Sequence, residues 1–464
     1  MKKNWFLTDE KSSYVLGFFV FYSAWLLAFP FYGQLQMGLY DLFESSDVNV
    51  SLIAVTAQFL GLLFSGFFVN SLKRARSVIL LTTVFSALGT IVFFWSYTIL
   101  WDIVLIAVSF VAGLYVASWG HLCKAYTTPQ NRVVVIAFAL IYSNVLMLLI
   151  NVSAVNISLY LGLVFAILCL LISLFLFSRA PLPLEVAPII LKSDPKTVRR
   201  VIRVLYLFIM ILTITAGLMY EVINPMFAHH TSFVSWYWAV PYIVAILFLV
   251  RTTSKVNKAY VLYIAIALIG FSFLSFMILN QSLGSYFIVN SMMMFAFGVC
   301  DLFWWSIIGE LFDYVENPAH LMGVCLSANI LGIMVGGALG RSFVSMEWID
   351  SPSLVAMIVV FLVLIMLPFL NKELSSVIRQ HIFLVRFERI DHSEPENHFV
   401  LPELTARESE IVELLMTGRT YKMIAEELFL SENTIKTHIK NIYSKYEVQS
   451  KTELIKIISI TRKG

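Results

Sequence analysis

Asn433, Lys436, Thr437 and Lys440 recur at spacings of three and four, so on a helix they share one face. Two amines beside an amide and a hydroxyl can neutralise phosphates and meet the polar edges of bases. Far upstream, His121, Glu221, Asp301 and Arg341 interrupt long apolar stretches. A charge within hydrocarbon is costly, so these residues mark either a ligand site, an interhelical hydrogen bond or a group at headgroup level. Two kinds of chemistry are therefore present: recognition of an anionic surface in water, and polar groups held in an apolar medium.

The elements that position these residues follow from composition. Of 464 residues, 59% are hydrophobic and 13% charged, and Phe occurs 38 times. Soluble domains are roughly 45–50% apolar and about 25% charged. A single soluble enzyme is excluded, as are a disordered chain and a disulfide scaffold. Residues 1–370 hold 18 of the 32 Lys and Arg, and the last 94 residues hold the other 14. Cys123, Cys169, Cys300 and Cys325 show no C-x-x-C spacing and read as small buried residues, with no metal or other cofactor implied. Nothing resembles a nucleotide-binding or hydrolytic motif, so no enzyme activity is expected.

Crossing a ~30 Å hydrocarbon core takes about 20 apolar residues. Twelve such stretches are expected, near 14–33, 50–70, 77–97, 103–122, 133–152, 157–178, 204–224, 233–250, 259–279, 286–308, 321–342 and 353–370. With the N-terminus inside, 17 Lys and Arg before residue 371 fall on the inner side and only Arg341 on the outer. That bias predicts an inner (cytoplasmic) membrane protein with both termini cytoplasmic. The longest inter-span loop, 179–203, divides the spans six plus six, and the basic loop Lys73-Arg74-Ala75-Arg76 has a counterpart at 251–258. Gly332, Gly336 and Gly340 have the small-xxx-small spacing that lets helices pack closely.

The repeat resembles the major facilitator fold, in which two six-helix halves surround a central cavity. The resemblance implies that spans one, four, seven and ten face the cavity. Trp25, Trp119, His121, Glu221, Asp301, Trp304 and Trp305 are then its candidate residues. An aromatic cavity with few charges suits an apolar or aromatic small molecule. At ~1.5 Å per residue, Glu221 lies at the outer level with Arg341, and the two can pair. His121 and Asp301 share the inner level.

From Asn371 the composition turns polar, and 371–401 reads as an amphipathic linker. Residues 402–464 read as four short helices. Thr405 with Glu408 forms a capping box, Thr420 opens the second helix, and Ser431 caps the third. Ile435, Ile439 and Ile442 face inward, opposite the basic face, and Leu454, Ile457 and Ile458 on helix four are available to a partner. Residues 403–413 carry four glutamates and one arginine, whereas 433–446 carry Lys436, Lys440 and Lys445 and no acid. Such charge placement favours double-stranded DNA over a protein partner.

The run LTARESEIVELLMTGRTYKMIAEELFLSENTIKTHIKNIYSKYEV resembles the LuxR-type DNA-binding domain over essentially all of 402–460. The resemblance implies that Ser431, Asn433, Thr434, Lys436, Thr437 and Lys440 approach bases and phosphates of a promoter. Lys422 and Lys445 would hold the DNA backbone, and helix four would make a homodimer contact. The whole chain is similar to bacterial regulators in which a facilitator-like region, here 1–370, is fused to a LuxR-type tail, here 402–464. The expected fold class is all-α: a six-plus-six membrane bundle and a four-helix DNA-binding domain.

Overall fold

The computed structural model describes residues 10–31, 33–43, 48–181, 193–251, 258–346, 351–378, 405–416 and 419–445, together with Val448 and Leu454. The chain forms two compact units, Met1–Asp391 and His392–Gly464.

The first unit is a helical bundle. Its N-terminal half contains α1 (Glu10–Ala28), α2 (Gln34–Leu42), α3 (Val48–Phe68), α4 (Leu72–Ile91), α5 (Ile99–Tyr126), α6 (Pro129–Asn156) and α7 (Leu159–Arg179). The second half contains α8 (Pro195–Leu218), α9 (Asn224–Met226), α10 (Thr231–Val234), α11 (Ala239–Arg251), α12 (Lys258–Ile278), α13 (Leu283–Leu311), α14 (Pro318–Ser345) and α15 (Ser351–Val377). Helix starts follow local chemistry. Ser71, Asp194, Ser282 and Asn317 cap α4, α8, α13 and α14 through their side chains, and Pro129, Pro195 and Pro318 occupy first-turn positions where no N–H is needed.

Among the described residues, 11 helices are long and apolar enough to cross a membrane. Phe67, Leu81, Phe175 and Ile365 stand exposed on their outer faces. In water such surface would drive association, whereas hydrocarbon accommodates it and the helices satisfy their own backbone groups. The expected eighth span is shorter than predicted: α11 has 13 residues and follows the separate α10. Pro241, in the first turn of α11, cannot lie further inside a helix without clashing with the preceding turn. The first span also differs. It ends at Ala28, ahead of Pro30, and the chain then forms α2, a helix the hydropathy pattern does not announce. Span twelve runs on through Val377, seven residues into the expected linker, whose remainder from 379 lies outside the described residues.

The pairing of helices displays the repeat. In the first half α1 packs on α6 and α7, α3 on α5, and α4 on α5 and α7. In the second half α8 packs on α14 and α15, α11 on α13, and α12 on α13 and α15. The glycine stripe serves the crossing of α14 with α8. A Cβ on Gly336 would lie 2.0 Å from the carbonyl oxygen of Ile214, and one on Gly332 would lie 2.2 Å from that of Met210. Across the halves, α3 and α5 meet α14, while α6 meets α11 and α13.

The second unit holds α16 (Ala406–Met416), α17 (Tyr421–Glu427) and α18 (Glu432–Lys445) around a small core that includes Ile411, Ile424, Ile435, Ile439 and Ile442. Of the expected fourth helix, only Leu454 is described.

Candidate functional site

A cavity of about 730 Å³ lies between the halves of the bundle. Four of the expected residues are on its wall: Glu221, Asp301, Trp304 and Trp305. Three are not. Trp25 is buried against α4, where its Nε1 donates to Thr90 Oγ1 at 2.9 Å. Trp119 donates to the carbonyl of Val15 at 3.0 Å and stacks on Phe19, behind the cavity wall. His121 hydrogen-bonds Asn317 Oδ1 at 3.2 Å, apart from Asp301. The face of α1 that lines the cavity carries Phe19, Ser23 and Leu26 instead, at helical spacings of four and three.

Glu221 and Arg341 form an ion pair, as their common level suggests. Glu221 sits in a π-helical segment, Met219–Ile223, inserted between α8 and α9. Pro225, four residues on, cannot donate to the Glu221 carbonyl, and the wider turn accommodates that gap. Asp301 has a different partner: the hydroxyl of Tyr242 on α11 donates to its Oδ2 at 2.7 Å. Tyr242 and the amides Gln34, Gln58, Asn151 and Asn290 line the cavity without standing out in the hydropathy pattern. Uncharged polar residues scattered through apolar spans were the available signal.

At the end where α4 begins, the halves are fastened together. Arg132 is 1% exposed. It donates to the carbonyl of Gly309 at 2.7 Å and to both oxygens of Asp313, at 2.9 and 3.3 Å. Asn317 Nδ2 donates to the Val69 carbonyl at 2.9 Å, and Lys124 Nζ to that of Val315 at 3.2 Å. The cavity lies beyond this lock, and Gln34, Asn224 and Trp238 line it from the segments at the other end.

In the tail, the capping box is reciprocal. Thr405 N–H donates to Glu408 Oε2 at 2.8 Å, and Glu408 N–H donates to Thr405 Oγ1 at 3.3 Å. Thr420 accepts from Met423 N–H, and Ser431 accepts from Thr434 N–H at 3.1 Å. The Ser431 and Thr434 hydroxyls also hydrogen-bond each other at 2.7 Å, so both belong to the cap of α18. Asn433, Lys436, Thr437 and Lys440 are exposed along α18, and Lys422 is exposed on α17. Lys436 leans on Glu432 at 2.8 Å, and this contact first, then the Lys422 charge, holds the Glu432 carboxyl below its ordinary range. Lys445 is elsewhere: its Nζ reaches Glu408 Oε2 at 2.6 Å and ties the end of α18 to the start of α16. Leu454 is buried in the tail's own core, away from any free face, because the first apolar position of helix four turns inward. Ile457 and Ile458 lie outside the described residues.

This frame agrees with comparison to known proteins. The model described as bacterial regulatory proteins, luxR family, matches residues 402–458. The spore germination protein GerE of Bacillus subtilis (strain 168) is 41% identical over 63 residues, which are 14% of this chain and 82% of that protein. The chain belongs to the LuxR family of bacterial regulatory proteins. A second relative is the transcriptional regulatory protein LiaR of Bacillus subtilis (strain 168), 48% identical over 65 residues, 14% of this chain and 30% of LiaR. A third, the monoamine regulon transcriptional regulator of Klebsiella aerogenes, is 48% identical over 52 residues, 11% of this chain and 23% of the relative. The LuxR-family chain thus spans under a third of these last two regulators. Its bundle is similar to a bacterial homologue of the iron transporter ferroportin in an outward-facing state, with a TM-score of 0.58 and 14% identity. The match covers 78% of this chain and 99% of that one. At such identity the likeness concerns fold alone: a facilitator-like multi-pass membrane region joined to a LuxR-type DNA-binding tail.

Proposed function

We propose that this LuxR-family chain is a membrane-embedded one-component transcription regulator, which senses a small molecule in the bundle and binds promoter DNA with a cytoplasmic tail. The observation that carries the reading is a cavity between two locked halves in the same chain as an exposed basic recognition helix. Residues 1–370 act as the sensor, 371–401 as the linker, and 402–464 as the reader. The 17-to-1 basic bias supports a cytoplasmic-membrane location with both termini inside. Asn433, Lys436, Thr437 and Lys440 meet DNA, with Lys422 on the backbone, and Ile457 and Ile458 support pairing of two tails. Glu221, Asp301, Trp304 and Trp305 meet a ligand with an aromatic or apolar body. Occupancy shifts the balance between two arrangements of the halves, which alters how tails pair on DNA.

Replacing Lys436 and Lys440 with Ala tests the reader. Each lost contact costs about 1–3 kcal/mol, so promoter affinity should fall by more than tenfold and reporter output should vanish at unchanged protein level. Unchanged output sinks the DNA-contact assignment. A second reading, a transporter whose tail regulates its own operon, is favoured by the fold likeness to nearly the full length of a transporter-like chain. Accumulation of the inducing compound in sealed vesicles would support that reading, because a sensor need not move what it binds.

A further inference from the structure

The charges on the cavity wall are of one sign. Asp41, Glu221 and Asp301 line it, and among the described residues no Lys, Arg or His side chain does. The three carboxylates are not equivalent. Asp41 is exposed on α2, and Glu221 is neutralised by Arg341. Asp301 receives a neutral hydroxyl from Tyr242 on one oxygen, and no basic side chain among the described residues stands on the wall to pair with its carboxyl. Withdrawn from bulk water and without a basic neighbour, such a carboxyl ionises readily only beside a cation brought by a guest.

A second, independent observation concerns hydrogen bonding. The side-chain oxygens of Gln34, Gln58, Asn151 and Asn290 are buried and lack a hydrogen-bond partner among the described residues, and all four residues line the cavity. Buried polar atoms are almost always satisfied, so these acceptors, spread along the cavity, take donors from whatever fills it, water or a guest. An ammonium group has three donors and no acceptor. Trp305, one helical turn from Asp301, forms an edge contact with Phe19 at 6.1 Å. Both rings line the cavity and offer apolar surface and π-faces suited to a cation. Among the described residues no three His, Cys, Asp or Glu side chains come together to hold a metal ion. The aromatic surface of Phe19 and Trp305 beside Asp301 suits an organic cation.

We infer that the cavity binds a small organic amine with an aromatic or apolar body, whose ammonium is anchored on Asp301 and whose body rests on Trp305 and Phe19. This rests on the sensor reading and names the class of its ligand. The intact protein in detergent is titrated with 2-phenylethylamine and hexylamine, against 2-phenylethanol, hexanol and 3-phenylpropionate, and followed by Trp fluorescence and calorimetry. Each amine should bind at least tenfold more tightly than its alcohol, and the carboxylate most weakly. Asp301→Asn should erase the preference for amines, while Asp301→Glu keeps it. Should Asp301→Asn fail to fold, Tyr242→Phe serves instead: it keeps the carboxylate and removes its neutral donor, so amine preference should hold or grow. Equal binding of amine and alcohol, preference for the carboxylate, no amine binding at millimolar concentration, or an Asp301→Asn protein with undiminished amine affinity overturns the inference. A promoter reporter separates the two readings. Amine binding with silent output sinks sensing and leaves the anchor standing. Output that follows the alcohols or the carboxylate does the reverse.

Discussion

Arg132, in the bundle, is buried and holds both oxygens of Asp313, whereas Lys436, in the tail, leans on Glu432 with about half its side chain in water. Each is one basic and one acidic residue within hydrogen-bonding distance, and their consequences differ by an order of magnitude. Withdrawn from solvent, a charge must be paired, and breaking the pair strands its partner. On a wet surface the same geometry is worth a few tenths of a kcal/mol and leaves the amine available for another anion. The bundle therefore uses the Arg132–Asp313 pair to hold its halves together. The tail uses ion pairs to park lysines that a phosphate backbone can claim.

The contrast breaks most sharply at the lock. Arg132→Ala leaves the half-buried Asp313 without its guanidinium and removes a bond to the Gly309 carbonyl. A loss of about 3–5 kcal/mol is expected, read as a lower midpoint in thermal unfolding of the detergent-solubilised protein. An unchanged midpoint would mean that Asp313 is solvated and that the lock is surface-like.

Glu408 lies between these extremes, a nearly buried carboxylate in an otherwise wet domain. The Lys445 hydrogen bond first, then the Thr405 backbone N–H, pull its pKa down to about 2. A depressed folded-state value stabilises above the unfolded value of about 4.3, and that contribution is lost as pH falls from there towards 2. Glu408→Gln should cost the tail roughly 1.5–3 kcal/mol at neutral pH and flatten its stability profile below pH ~4.3. A variant whose acid transition keeps the wild-type shape would remove Glu408 from that role.

How much of this was visible in the sequence follows the same division. The tail's caps close within three residues and its core repeats every three or four, so Thr405, Thr420, Ser431 and the exposed face of α18 could be placed from local pattern. Spans could be placed from apolar length, and Glu221 and Asp301 stood out because charges there are rare. Which side of a span meets the cavity is decided by neighbours far away in sequence. Helices apolar all round carry no stripe to reveal it, and so sequence alone places Trp25, Trp119 and His121 on a wall that they do not line. Lys445 matched a surface pattern, yet its partner lies on another helix, 37 residues away.

A smaller effect sharpens the surface side. Glu432→Gln releases Lys436 and removes a negative charge beside the recognition face. Promoter affinity should rise about two- to fourfold at low salt, with the gain fading as salt increases. An affinity that falls would show that the pair positions Lys436 for DNA.

The smallest expected change is the one with no charge in it. Phe429, in the turn between α17 and α18, has φ 54°, the left-handed region that side chains disfavour. Its ring is 95% exposed, so no packing offsets that backbone cost of roughly 1–2 kcal/mol. Phe429→Gly removes the strain but gives the unfolded chain more freedom, by about 0.4–1 kcal/mol. The net should be a gain of about half a kcal/mol, or a rise of about 2–4 °C in the midpoint of a domain this small. The turn's hydrogen bond, from Leu430 N–H to the Ala425 carbonyl at 2.9 Å, involves neither Phe429's ring nor its Cβ and should persist. A fall in the midpoint would mean that the ring is covered in the intact protein, and so that this turn is a contact surface.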